Sequence, residues 1–149
     1  MDVPIIEQVR IQAQVLVPIV KALQKELGEE RANAIVRKAL GEHYRKLGEK
    51  HWRAASVEEN MAGAFKRFAE GGGIDYQVLK QAKDAFDVNV TSCRYAQFYK
   101  AIGAPELGFL LVCSADAPMA EGAGMELKRT QTIMQGASHC DFRYKLGKP

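Results

Sequence analysis

The stretch GGGIDYQVLKQAKDAFDVNVTSC, residues 71–93, decides the fold, because the hydrophobic period changes inside it. After Gly71-Gly72-Gly73, Ile74, Tyr76 and Val78 alternate with polar residues, and Phe86, Val88 and Val90 do the same. A period of two turns one face of an extended chain toward a core. The stretch therefore reads as two strands joined by a turn from Gln81 to Asp84, with the glycines as a flexible joint before them.

Everything upstream has a helical period instead. Ile5, Val9, Leu16, Val20, Leu23 and Leu27 recur mostly three, four or seven apart, one stripe of an amphipathic helix. Pro18 interrupts it, so that helix either kinks there or gives way to a second, shorter one. Gly28 suits a C-terminal cap. A second helix is expected from about Glu29 to about Lys50, with Ile35, Val36, Ala39, Leu40, His43, Tyr44 and Leu47 as its stripe. Ser56 and Glu59 form a capping-box pair that opens a third, burying Val57, Met61, Ala64, Phe65 and Phe68.

Downstream of Cys93 the helical period returns through Tyr95, Ala96, Phe98, Tyr99 and Ile102, and Pro105 opens a further, apolar helix through Val112. Asp116–Gly124 reads as loop or frayed helix. Two last strands are expected at about Leu127–Met134 and His139–Lys145, joined near Gln135-Gly136-Ala137. The fold class is α+β in one domain, residues 1–149: a helical half (1–70), then a ββααββ unit (74–149) with an antiparallel sheet of about four strands.

Composition narrows the function classes. Charged residues make up 26% of the chain and the net charge is +3, with both signs interleaved along the helices. Such faces are solvated, and nothing resembles the one-signed, aromatic-interleaved stripe of a nucleic-acid binder. No apolar run is long enough for a membrane span, and no secretory signal is visible. Three cysteines argue against a disulfide framework and for a reducing, cytoplasmic setting. The first helix's stripe also suits self-association into a homo-oligomer.

Cys93 stands where a strand ends and a helix begins. Free N–H groups and the helix dipole there favour an anion, which would lower a thiol's pKa and make it nucleophilic. The competing reading is a small buried residue closing a strand. Cys113 reads as structural. Asp116 suits either a cleft, paired with a cationic group, or a solvated loop. Arg129 has the donor geometry to clamp a carboxylate, and Thr130 and Thr132 suit substrate contacts or an ordinary wet sheet face. Alternation puts Cys140, Phe142 and Tyr144 on one face and His139, Asp141 and Arg143 on the other. His139 and Asp141 are thus either a general base with its orienter or surface residues. Cys93, Cys113, His139 and Cys140 lack the close spacing of a zinc site, so neither metal nor cofactor is expected.

Five ordered blocks carry a resemblance: Thr91-Ser92-Cys93-Arg94-Tyr95-Ala96, Gly103-Ala104-Pro105-Glu106-Leu107-Gly108, Cys113-Ser114-Ala115-Asp116, Arg129-Thr130-Gln131-Thr132 and Gly136-Ala137-Ser138-His139-Cys140-Asp141-Phe142. They resemble the signature of the L-2-amino-thiazoline-4-carboxylic acid hydrolase family. The resemblance implies a hydrolase that opens a small cyclic amidine, yielding a carbamoyl derivative of cysteine. The matching positions are Cys93, Cys113, Asp116, Arg129, Thr130, Thr132, Gly136 and Cys140. In that frame Cys93 attacks the amidine carbon or positions water, Asp116 stabilises the cation, Arg129 holds the ring carboxylate, and His139 or Asp141 moves protons. The alternative is a non-enzymatic small-molecule sensor module of vinyl-reductase-like type, which the ββααββ half also resembles.

Overall fold

A computed structural model describes residues 2–51 and 56–148. Three helices come first: α1 (Ile5–Leu27), α2 (Glu29–His51) and α3 (Val57–Ala69). They are followed by β1 (Ile74–Ala82), β2 (Ala85–Cys93), α4 (Arg94–Ala101), α5 (Pro105–Leu111), α6 (Asp116–Gly122), β3 (Met125–Lys128) and β4 (Cys140–Leu146). The strands form one antiparallel sheet in the order β1-β2-β4-β3. The α+β class is as expected, with three helices rather than two between the strand pairs. Among the described residues, no helix is long and apolar enough to cross a membrane.

α1 is a single helix that runs through Pro18. The proline leaves the Gln14 carbonyl without an intrahelical donor, and both residues are exposed, so water can serve it. The buried residues are Ile6, Ala13, Val17 and Val20, with Ile5, Val9 and Leu16 packed beside them. Leu27 is exposed, as are Ile11, Val15 and Ile19 on the helix's outer flank. On α2 the expected stripe is too wide. Val36, Leu40, Tyr44 and Leu47 are partly covered, while Ile35, Ala39 and His43 face solvent. α2 instead packs through Ala32 and Gly48. A Cβ on Gly48 would lie 2.1 Å from the Met119 carbonyl oxygen of α6, and one on Gly122 2.0 Å from that of Arg45. α3 is capped by Ser56, whose hydroxyl accepts from the Glu59 N–H, and buries the expected face.

The glycine joint is a fixed turn. Gly71 and Gly72 have φ of 69° and 77°, a region open to glycine. The Gly73 carbonyl then accepts from the Arg94 N–H at 2.8 Å, tying the end of α3 to the start of α4. β1 and β2 form the expected hairpin around Lys83-Asp84, with irregularities at Asp75/Tyr76 and Val78/Lys80. β1 is an edge strand, and Val78 is exposed. The later strands differ from expectation. β3 ends at Lys128, because the Asp141 carboxylate takes the N–H groups of Thr130 and Gln131, both at 2.9 Å. That draws the chain off the ladder into a short 3-10 turn at Ile133–Gln135, so residues 129–139 are a long connection and not a tight hairpin.

Two hydrophobic cores result. One joins α1, α4 and α5. The other lies between α3 and the sheet, where Phe65 meets the rings of Tyr76, Phe86, Phe142 and Tyr144. Phe68, Ile74, Cys93 and Ile133 pack against both. Cys93 therefore sits on the seam.

Candidate active site

β2 ends and α4 begins at Cys93. The residue is extended (φ −142°, ψ 109°) and serves as the cap of α4, its Sγ accepting from the Ala96 N–H at 3.4 Å. On the seam beside it is a cavity of about 70 Å³. Its walls include Cys93, Cys113, Asp116, Arg129, Thr132 and Cys140, and the rest is apolar or aromatic, notably Phe65, Phe68, Val112, Phe142 and Tyr144. Residues from four of the five sequence blocks meet here through their functional side chains.

An ion pair is the cavity's main polar feature. Arg129 Nη1 donates to Asp116 Oδ2 at 2.7 Å and Nη2 to the Cys113 carbonyl at 3.1 Å. The two side chains are only 11% and 19% exposed. The Arg129 guanidinium also lies over the Phe142 ring, 5.1 Å from its centre. Burial raises the Asp116 carboxyl above its usual 3.8, and Arg129 opposes that rise. Asp116 stands at the start of α6, a segment expected as loop or frayed helix.

Burial also dominates the thiols. It raises Cys93 above its ordinary 9.0, outweighing the N–H groups of Ala96 and Tyr95, and the Asp116 charge adds to the rise. The expectation of a lowered Cys93 thiol is therefore corrected: the helix start is present, but desolvation by the seam is the larger effect. Cys140 is pushed up to about 11, mainly by burial, although its Sγ accepts from the Ile133 N–H at 3.2 Å. Cys113, in a 3-10 turn after α5, is raised well above its usual value. Thr132 is buried with its hydroxyl committed to Gln135, accepting from N–H at 3.2 Å and donating to Oε1 at 3.0 Å.

Thr130, His139 and Asp141 do not line the cavity. Burial is the largest single influence on the Asp141 carboxyl and raises it, but the Thr130 hydroxyl and the Gln131 and Thr130 N–H groups together outweigh burial and lower its pKa. His139 Nδ1 instead lies 2.9 Å from Ser138 Oγ, and Gln131 Nε2 donates to the His139 carbonyl at 3.0 Å. Of the two readings of His139 and Asp141, the general-base couple is not formed, because Asp141 is engaged in holding the 129–132 segment. Sequence reading missed the aromatic walls, which come from α3, β4 and α4; only the period of each element hinted at them.

A second, larger cleft of about 490 Å³ adjoins the first. Phe68, Val112 and Asp116 line both spaces. The cleft is otherwise bounded by α1, α2 and α3, through residues including Gln8, Gln12, Tyr44 and Arg67, and by Leu111, Ala115 and Met119 from α5 to α6.

Among solved structures, the chain is similar to the phenol-responsive sensory domain of the transcription activator PoxR, solved with phenol. The identity is 14% and the TM-score 0.51, over 88% of this chain and 72% of that one. Also similar are a trafficking protein particle complex subunit 3 from Naegleria fowleri covalently bound to palmitic acid (14% identity, TM-score 0.46, 93% and 97% covered) and an Fe(II) unliganded H-NOX protein mutant from K. algicida (10%, 0.44, 91% and 74%). No curated protein matches the sequence. The sequence model of one family, described as L-2-amino-thiazoline-4-carboxylic acid hydrolase, matches residues 8–144, a span that takes in every residue of the cavity. The chain belongs to the L-2-amino-thiazoline-4-carboxylic acid hydrolase family.

Proposed function

We propose that this chain is a hydrolase that opens a small cyclic amidine, such as a 2-aminothiazoline carboxylate, with Cys93 as nucleophile. The observation that carries the reading is the meeting of a helix-capping thiol with the buried Asp116–Arg129 pair on one walled cavity. Family membership supports hydrolase chemistry.

Burial keeps Cys93 protonated near neutral pH, so attack needs a proton acceptor. Asp116 is the carboxylate on the cavity wall. Burial strengthens its hold on a proton, and the Arg129 guanidinium works in the opposite direction, toward the carboxylate form. Asp116 takes the thiol proton as Sγ bonds to the amidine carbon. The bond from that carbon to the ring sulfur then breaks, and the departing sulfur takes its electron pair and the proton from Asp116. The ring is now open and an isothiourea links it to Cys93. Water adds to the same carbon, giving a proton to Asp116. The Cys93 sulfur leaves with its electron pair and recovers that proton, releasing an open-chain thiol that bears a urea group. One water is consumed and no oxidant is needed. Covalent catalysis here divides one difficult hydrolysis into two displacements. Cys140, which is buried and whose thiol is pushed up to about 11, is the weaker nucleophile and serves as wall, as do Cys113 and Thr132.

The test is release of free thiol from 2-aminothiazoline-4-carboxylate, followed with a thiol reagent. Wild type turns over, and Cys93→Ala and Cys93→Ser do not. A binding module without turnover is the second reading. The apolar walls and protonated thiols favour it, and the PoxR domain of similar fold was solved with phenol. Saturable binding of the thiazoline with no thiol release, and thiols inert to iodoacetamide, would select it.

A further inference from the structure

The cavity beside Cys93 is too small for the whole substrate class. Its volume of about 70 Å³ compares with the roughly 150 Å³ of a dry protein cavity that accepts benzene. A five-membered ring carrying an amino group and a carboxylate is larger than benzene. Only the amidine end can enter, and the acid-bearing end must lie elsewhere.

The adjoining cleft is the space open to it. At about 490 Å³ it is several times larger, and Phe68, Val112 and Asp116 line both it and the cavity. Asp116 lines both spaces, so a ligand whose amidine nitrogens pair with its carboxylate is within reach of both. Arg129 lines only the inner cavity, and two of its donors are already spent on Asp116 and the Cys113 carbonyl. Drawing it onto a carboxylate would strip Asp116 of its counter-charge. The cleft has its own permanent cation, Arg67 at the end of α3, the one Arg or Lys among the described residues that line it. The side chains of Arg67 and of Gln12 in the same lining have no hydrogen-bond or ion-pair partner among the described residues.

We infer that this cleft is the second half of the substrate site, and that Arg67, rather than Arg129, binds the carboxylate of a cyclic amidine acid. Arg67 is then a specificity-determining residue that selects acids over neutral amidines. The inference rests on the proposed function for the kind of ligand. Its test does not need turnover.

Binding of 2-aminothiazoline-4-carboxylate and of uncharged 2-aminothiazoline is measured by calorimetry on the full chain, for wild type, Arg67→Ala and Arg67→Lys. The inference expects wild type to favour the acid, and Arg67→Ala to weaken the acid about tenfold while leaving the neutral amidine unchanged. Arg67→Lys should recover part of the loss, and the preference should shrink with added salt, because Arg67 is exposed. Equal affinity of wild type for both probes, or equal effects of Arg67→Ala on both, would overturn it. Where turnover is measured, Arg67→Ala should raise KM for the acid with kcat unchanged. If Arg67→Ala shows the selective loss while Cys93→Ala still releases thiol, the cleft assignment stands and the nucleophile assignment fails.

Discussion

At the scale of the residue, Cys93 is under two opposed influences. The α4 N–H groups stabilise its anion, and the apolar seam penalises it more. The thiol is therefore a latent nucleophile that depends on Asp116. Cys93→Ala should leave the melting temperature close to wild type and reduce thiazoline opening by at least about a thousandfold. In the free protein, alkylation of Cys93 should keep accelerating as pH passes 9.0, with no plateau near neutrality. The position of Cys93 was legible, since an alternating run ends there and a helical one starts. Its desolvation was not, because the walls responsible, Phe68, Cys113 and Cys140, come from distant parts of the chain. Asp141 shows the converse. Its carboxylate is stabilised in the fold, so its contribution is present above its ordinary pKa of 3.8 and is lost as pH falls through the lower folded value. Asp141→Ala should cost about 1 kcal/mol at pH 7 in urea melts, and the gap to wild type should close in acid. A gap that is constant with pH would mean that the carboxylate's charge is not what holds Thr130 and Gln131.

At the scale of the element, sequence period placed α1, α3, α4, α5 and the first hairpin. It failed where side chains overrule the backbone pattern. β3 stops early because Asp141 takes the next two N–H groups, an interaction across ten and eleven residues that no local pattern carries. α6 was hidden by Pro118, which falls in the first turn of the helix, where its missing N–H costs no bond. The α2 stripe was read too wide, since the helix packs on α6 through glycine rather than through Ile35 or His43. That close approach gives a prediction against propensity. Gly→Ala in a helix ordinarily gains up to about 1 kcal/mol. Gly48→Ala and Gly122→Ala should each instead lose about 1–3 kcal/mol, because the added methyl would meet backbone at 2.1 and 2.0 Å. Equilibrium unfolding in urea reads the sign directly, and a gain in either variant would contradict the packing.

At the scale of the whole molecule, two cores meet along a seam, and the candidate site is the imperfection in that join. Phe65 organises the sheet side, touching four other rings. Phe65→Ala should cost about 3–5 kcal/mol and enlarge the cavity, so that binding of neutral apolar ligands strengthens as stability falls. The sequence order of the blocks named the family, but neither the seam nor the adjoining cleft could be read from it. Both arise from how separate helices lean on one sheet.

The central claim is a covalent bond between substrate carbon and the Cys93 sulfur. The direct measurement is acid quench of the full chain during turnover of 2-aminothiazoline-4-carboxylate, followed by peptide mass spectrometry. The account predicts a transient adduct with the mass of the intact substrate on the Cys93 peptide, absent in Cys93→Ala and unchanged in Cys140→Ala. Steady thiol release with Cys93 unmodified throughout, or an adduct on Cys140, would contradict it.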